Sequence, residues 1–419
     1  KALPTALHWA EKAYEFAKDE VSKNQVELIK SILDERKKVN SFVLKAKHAI
    51  DSKQNGDLIV AQNAYSQLPD EMKKNPAVIQ AMNQLNGPKK WPKKSVAIFC
   101  GNSVLKGWGP WSLKEGIGGS EEAVIRISKH LNNLGYKVVV YAEPLARDGI
   151  YGGIEWRNYW EMNIQDEFSV FIGWRNPWLF DAKINARKKY LWLHDVMDNT
   201  EFTKERLDNL DKVMLLSEYH RDIFPSIPDN KVFRTGNGID SHEFDSYDGK
   251  YKRNPHRIIY TSSHVRGLEH LYAIWPEVKK AVPDAILDVY YGWESYINVN
   301  KDNPERMAWK DKMIGLEKSL DGVTDHGRIG QDKIMEETFK AGVWAYPCPF
   351  PEIYCIAAVK AQAAGAFPVC SNFAALDEMV QWGEKINMND FNETILNEYK
   401  DKLISILLDD KRQNDEREL

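Results

Sequence analysis

The sequence predicts an α/β protein in which two Rossmann-like domains face a central cleft, preceded by a small all-α domain. Three observations predict it. From residue 95 onward, short apolar runs suited to buried parallel strands alternate with helical patterns. The alternation starts afresh after residue 245, which makes two such halves rather than one. Before residue 91 only the helical period is visible. Sheets of this type bind ligands beyond the carboxyl ends of their strands, so both halves are expected to open onto one cleft.

Residues 1–90 form the helical domain. In "ALHWAEKAYEFAKDEV", Leu7, Ala10, Tyr14 and Ala17 fall on one stripe at helical spacing, and "NQVELIKSILDERKKVNSFVLKAKHAI" continues the period. Gly56, Ala61, Tyr65, Leu68 and Pro69 resemble one tetratricopeptide-like helical hairpin, although such units normally stack in threes. "NGPKKWPKK" (86–94) is a linker. Residues 91–245 open with the strand "SVAIFCG" and a long loop. "EEAVIRISKHLNNLGYKVVVYAEP" then reads as helix, stop at Gly135 and strand, and "FSVFIGW", "KKYLWLHD", "KVMLLSEYHRDIF" and "KVFRTGNGI" continue the alternation. In residues 246–395 the order is the strand "HRIIYTSS", a helix closed by Pro283, the strand "AILDVYYGW", the turn "VTDHGRIG" and the helix "QDKIMEETFKAG". The strand "VWAYP", the alanine-rich helix "CIAAVKAQAAG" and the strand "FPVCS" follow. Residues 396–419 form a C-terminal helix.

A length of 419 residues with 28% charged and 43% hydrophobic residues is a folded, water-compatible composition spread over more than one core. The net charge of −4 argues against a general nucleic-acid binder. Residues 1–94 are the basic part, with 17 Lys and Arg against 11 Asp and Glu. That balance suits a solvated helical face, and also peripheral contact with an acidic partner or membrane surface. No apolar run reaches the roughly 20 residues that span a bilayer. Cys100, Cys348, Cys355 and Cys370 show neither metal spacing nor a disulfide framework, which fits a reducing, cytoplasmic setting.

Several local patterns carry chemistry. A helix from about Cys355 presents unpaired N–H groups at its start, a site for an anion such as a diphosphate. Ala357, Ala358, Ala361, Ala363 and Ala364 let that helix lie close to a sheet, and Glu352 just ahead of it can accept from two hydroxyls. Gly118 and Gly119 precede another helix and allow close backbone approach to a ligand, with Ser120 as a candidate N-cap. Arg266 lies at a strand-to-helix turn, where a guanidinium matches phosphate oxygens. Arg328 in "HGRIG" would assist it or pair with an acid. Trp108 and Trp111 would either stack on an acceptor sugar or anchor their loop. Trp174 and Trp178 share that ambiguity.

In chain order these motifs resemble the retaining GT-B fold glycosyltransferases of the family 4 type. The matching residues are Gly118-Gly119-Ser120, His194-Asp195, Asn237-Gly238-Ile239-Asp240, Ser262 to Gly267, His326-Gly327-Arg328 and Glu352-Ile353-Tyr354-Cys355. The resemblance covers about residues 95–390. It implies transfer of a hexose-type sugar from a nucleotide-sugar donor, such as a UDP- or GDP-sugar, to a glycan, lipid or protein acceptor. It also implies retention of configuration, no metal and no cofactor. His194, Glu352 and Arg266 would be catalytic. Gly118, Gly119, Ser263, Gly267, Arg328, Ile353, Tyr354, Cys355, Ile356 and Lys360 would join Arg266 and Glu352 in holding the donor. Trp108, Trp111 and Asp195 would hold the acceptor. Two positions depart from the pattern. Lys360 stands where the family has a second glutamate that accepts from the ribose, and Ser263 stands where it has a cation. The alternative expectation is a catalytically silent GT-B module that binds a protein partner, or itself, through residues 1–90. A phosphorylase would need a pyridoxal lysine that the sequence does not identify, and an epimerase would need no acceptor.

Overall fold

The computed structural model describes residues 2–103, 105–389 and 391–417. It divides into two compact units, Lys1–Lys93 with Asn158–Phe168, and Lys94–Arg157 with Ser169–Leu419.

The first unit is built on a long helix, Glu20–Ser52, capped by the Asp19 carboxylate, which accepts from Ser22 N at 2.7 Å. Phe42 and Ala46 on its inner face pack with Leu68 and Val78, and Tyr65 packs against them. Two further helices follow, Asn55–Ser66 and Pro76–Asn86, with a helical turn, Asp70–Lys73, between them. Asn75 caps the last helix, whose Pro76 is preset for the first helical position. Residues 158–168 were expected in the next domain, yet they complete this unit. The Asp166 carboxylate accepts from Lys89 N (2.8 Å) and Trp91 Nε1 (3.0 Å), and Phe168 stacks on Trp91.

The second unit contains both Rossmann-like domains. The strands of the first are β1 Ser95–Phe99, β2 Lys137–Ala142, β3 Gly149–Tyr151, β4 Ile154–Asn158, β5 Phe168–Trp174, β6 Ala186–Trp192, β7 Lys212–Leu215 and β8 Val232–Arg234. Their order across the sheet is β3-β4-β2-β1-β5-β6-β7-β8. β1 pairs in parallel with β2 and β5, β6–β7–β8 are parallel, and the β3–β4 hairpin is antiparallel at the edge. In the second domain β9 Asn254–Tyr260, β10 Ile286–Val289, β11 Val323–Asp325, β12 Ala341–Tyr346, β13 Phe367–Ser371 and β14 Glu384–Ile386 run in the order β11-β10-β9-β12-β13-β14, all parallel. That is the doubly wound order, with its switch point between β9 and β12. The helix Glu393–Leu407 belongs to this domain's core: Tyr399, Leu403 and Leu407 are buried there, and Tyr399 Oη donates to Val369 O at 2.7 Å. Among the described residues, no helix is long and apolar enough to cross a membrane.

Candidate functional site

A cleft of about 590 Å³ lies between the two Rossmann-like domains. Its walls come from the carboxyl ends of strands on both sides. Arg175 follows β5, His194 and Asp195 follow β6, and Asn237 follows β8. From the other sheet, Thr261 to Ser263, Val265 and Arg266 follow β9, Tyr291 follows β10, and Phe350 and Glu352 to Ala357 follow β12. The structure thus gathers His194, Asp195, Gly119, Ser263, Arg266, Glu352, Ile353, Tyr354, Cys355 and Ile356 on one cavity.

Two helices aim their N-termini at it, Gly119–Asn133 from the first domain and Ile356–Ala363 from the second. They meet so closely that a Cβ on Gly119 would lie 2.7 Å from Ile356 Cγ2, and only glycine fits. The leading N–H groups of a helix have no partner within it; in the second helix the third of them, Ala358 N, donates to the N-cap carbonyl of Cys355 at 3.1 Å. The N-cap of the first is Gly118, in extended conformation, rather than Ser120, whose hydroxyl instead meets Glu121 Oε2 at 3.2 Å. Cys355 is the N-cap of the second, and its N–H is held by Met379 Sδ at 3.2 Å.

Glu352 sits just ahead of the alanine-rich helix, with its side chain 14% exposed. Tyr346 Oη donates to its Oε1 at 2.7 Å, Ser262 Oγ lies 3.0 Å from Tyr346 Oη, and Arg266 Nε is 3.7 Å from the same carboxylate oxygen. Burial pushes the Glu352 carboxyl above its ordinary value, against the opposing pull of Arg266 and Tyr346. The Arg266 guanidinium lies over the Phe350 ring. Its turn is braced: Arg266 N donates to Ser263 O (2.9 Å), and Tyr260 Oη donates to the same carbonyl (2.8 Å). Next to it His264, 2% exposed, pairs with Asp325 at 2.8 Å and stacks on Trp293. Gly267 takes φ +98°, and any Cβ there would strike Pro347 O at 2.1 Å.

On the opposite wall His194 is 8% exposed, and its Nε2 has no hydrogen-bond partner among the described residues. Burial, reinforced by nearby Arg175 and His220, holds its imidazole well below the usual range, so the ring is neutral at pH 7. Arg175 grips Asp195 through two hydrogen bonds and has Glu121 3.6 Å away. Its backbone is left-handed, with φ +67°. Nothing in the sequence reading named Arg175. The signal was its place one residue beyond the strand "FSVFIGW", the same kind of position that His194 holds.

Lys360 stands on the inner face of the alanine-rich helix and reaches across the domain boundary. Its Nζ donates to Glu122 Oε2 (2.6 Å) and Gln331 Oε1 (2.7 Å). Glu122, 1% exposed, also receives Arg126 Nε at 2.6 Å, and Arg126 continues to Glu243. Burial lowers the Lys360 ammonium, partly offset by Glu122; burial acts to raise Glu122, but its two cations prevail and hold it below the ordinary value. A smaller pocket of about 80 Å³, lined by Lys360, Arg328 and Tyr290, adjoins the cleft and shares Gly119 and Ile356 with it. Arg328 Nη2 donates to Ser295 Oγ at 3.0 Å, while its buried Nε is unpartnered among the described residues.

The two acceptor tryptophans do not line the cleft. Trp108 is 2% exposed, packed between Trp156 and Trp174 in the first domain's core. Trp111 donates to Gly107 O and packs against Tyr151 and Arg147. Both anchor the long first loop. Trp174 is likewise core, and Trp178 is exposed.

The loops after β6 and β7 depend on His220. Its Nδ1 accepts from Leu216 N (3.1 Å), which leaves Nε2–H to donate to Asp195 O (3.3 Å). Burial depresses its pKa to about 4. The unfolded chain therefore binds more protons than the folded one between the ordinary value of 6.5 and about 4. This stability is present above pH 6.5 and is lost as the pH falls through that window, by about 3 kcal/mol from His220 alone. Urea unfolding at pH 7.5 and 4.5 should show the loss, and a His220→Asn chain should lose less. Equal losses in both proteins would contradict this assignment.

No protein-family model matches the chain, and no curated protein does. Solved structures do. Sucrose-phosphate synthase from Thermosynechococcus elongatus superposes at a TM-score of 0.56 with 14% identity, over 78% of this chain and 93% of that one. A glycosyltransferase from Rickettsia africae gives 0.54 and 15%, with the same coverage. HepE of Anabaena, in complex with UDP, gives 0.51 and 13%, over 77% and 92%. Of one longer match, at a TM-score of only 0.44, the chain spans about half (51%). Two parallel-sheet domains facing one cleft, with an all-helical region ahead of them, place this chain in the GT-B fold shared by glycosyltransferases at low sequence identity.

Proposed function

We propose that the chain transfers a hexose-type sugar from a nucleotide-sugar donor to a hydroxyl of a glycan, lipid or protein acceptor, with retention of configuration and without a metal. One observation carries the reading. The converging N-termini at Gly119 and Ile356, the Arg266 guanidinium and the Glu352 carboxyl share a single cleft with the unpartnered Nε2 of neutral His194. The N–H groups and Arg266 would neutralise the leaving diphosphate, a charge that grows as the glycosidic bond breaks. Glu352 would accept from sugar hydroxyls and hold the ring against that anion. His194, neutral, would hydrogen-bond the sugar or the incoming hydroxyl through Nε2. The acceptor would attack from the face the diphosphate leaves, entering past Arg175 and Asp195. The helical region would contact a protein partner, tether an acceptor or self-associate.

A thermal-shift screen with uridine, guanosine and adenosine diphosphates and their sugars tests this. Uridine diphosphate comes first, because HepE of the same fold is seen with UDP. A ligand at 100 times its dissociation constant should add about 2.7 kcal/mol of stability, and the same ligand as a sugar donor should yield free nucleotide. If no diphosphate shifts the transition, the reading is wrong. One observation favours a second reading, a silent module. The position that in the resembling enzymes holds an acid is a lysine closed onto Glu122. A shift with nucleotides but no turnover of any donor would select it.

A further inference from the structure

We propose that Glu378 is a positioning residue for the transfer: from outside the cleft it sets the span between the two walls on which Glu352 and His194 stand. The inference rests on the reading above, that Glu352 and His194 serve one reaction.

Two five-residue helices form a bridge between the walls. On the second domain, Ala375–Met379 is tied at both ends to the stretch that carries Glu352. Ala375 N donates to Glu352 O at 3.0 Å, and Met379 Sδ receives the N–H of Cys355 at 3.2 Å. On the first domain, Glu218–Asp222 carries His220, whose Nε2–H reaches the carbonyl of Asp195, next to His194. Helices this short are not stable alone, and their leading N–H groups need acceptors from elsewhere.

Glu378 supplies those acceptors across the domain boundary. Its Oε2 accepts from Glu218 N at 2.9 Å and its Oε1 from Tyr219 N at 3.0 Å. A carboxylate on two N–H groups at a helix start is favoured both by its charge and by the helix dipole. Ser217 adds a second tether beside it. Its hydroxyl caps the helix by accepting from His220 N (2.9 Å) and donates to Ile353 O (2.7 Å). Contacts therefore run unbroken from the backbone of Glu352 through Ala375–Met379, Glu378 and His220 to the backbone of Asp195. Neither Glu378 nor Ser217 lines the cleft, so neither meets a ligand there. Glu378 is also exposed, and removing it strands no buried charge. What its loss would change is the distance between the walls, and a displacement of about 1 Å between reacting groups costs on the order of 100-fold in rate.

Two measurements on the full chain test this. Hydrogen exchange comes first: the amides of Glu218 and Tyr219 should exchange at least about tenfold more slowly in the unaltered chain than in Glu378→Ala. Equal rates would mean that Glu378 does not hold them, and the inference falls. Kinetics come second, with uridine diphosphate and its sugars, or the diphosphate that the thermal-shift screen selects. Glu378→Ala should lower kcat for nucleotide release by about 10- to 100-fold. The dissociation constant of the diphosphate should stay within about threefold, because Arg266 and the start of the alanine-rich helix belong to one domain. Glu378→Gln keeps one acceptor oxygen and should fall between the two. An unchanged kcat, or a diphosphate affinity that falls as far as kcat does, overturns the inference and leaves the proposed function standing. An unaltered chain that binds no diphosphate or turns over no donor overturns the proposed function, and the positioning role with it.

Discussion

Replacing Glu352 by alanine should lower donor turnover, followed as release of free nucleotide, by about 100-fold or more. The carboxyl lies at the meeting of three constraints: the start of the alanine-rich helix, the Tyr346 hydroxyl and the Arg266 guanidinium. Alanine removes the acceptor for sugar hydroxyls. It also leaves Tyr346 Oη and Arg266 without the group that orients them. The loss should fall on kcat and KM together, because the same carboxyl would hold the sugar in the bound state and as its bond breaks. Glu352→Gln keeps the shape and one acceptor oxygen and should retain more binding than Glu352→Ala. Its elevated pKa gives the binding step a pH dependence above the ordinary carboxyl value of 4.5, which the glutamine variant should lose. Full nucleotide release from the alanine variant, folded as judged by its unfolding transition, would remove Glu352 from the reaction.

The second large effect is on stability. Lys360→Ala should destabilise the chain by about 3 kcal/mol, and Glu122→Ala by somewhat more. The difference lies in what each leaves behind. Without Lys360, Glu122 still has Arg126; without Glu122, Lys360 keeps only the neutral Gln331. The double variant Lys360→Met with Glu122→Met removes both charges while keeping bulk. It should cost less than the worse single change, since an intact buried pair contributes little beyond what apolar packing would supply. Urea unfolding of the three proteins gives the answer. If the double variant loses as much as the two singles added together, the pair is not coupled.

The alternation of strands and helices was legible because buried parallel strands are written as continuous apolar runs, and "SVAIF" and "VWAY" cannot be read otherwise beside their helices. The site was legible in part for the same reason: residues that end strands in such sheets face the cleft. Arg266 was singled out at such a turn, and Arg175 could have been; Glu352 was named for its place ahead of the alanine-rich helix, and His194 through the family resemblance. Three things were hidden. The β3–β4 hairpin is short and turns on Gly152 and Gly153, so it carries little periodic signal. Trp108 sits between glycines in a loop, and nothing local distinguishes a core anchor from a sugar platform. The partner of Lys360 lies 238 residues away along the chain, and only folding reveals that the lysine meets an acid.

The return of residues 158–168 to Trp91 and Lys89 bears on how the chain is made. As it leaves the ribosome, the leading helices cannot be finished when their own stretch is complete. They must wait until two strands and a hairpin of the next lobe have emerged, for only then does Asp166 arrive to receive Trp91 and Lys89. A nascent chain halted near residue 95 would keep those two donors wetted, and a shortened gene ending there would yield a bundle lacking its last piece.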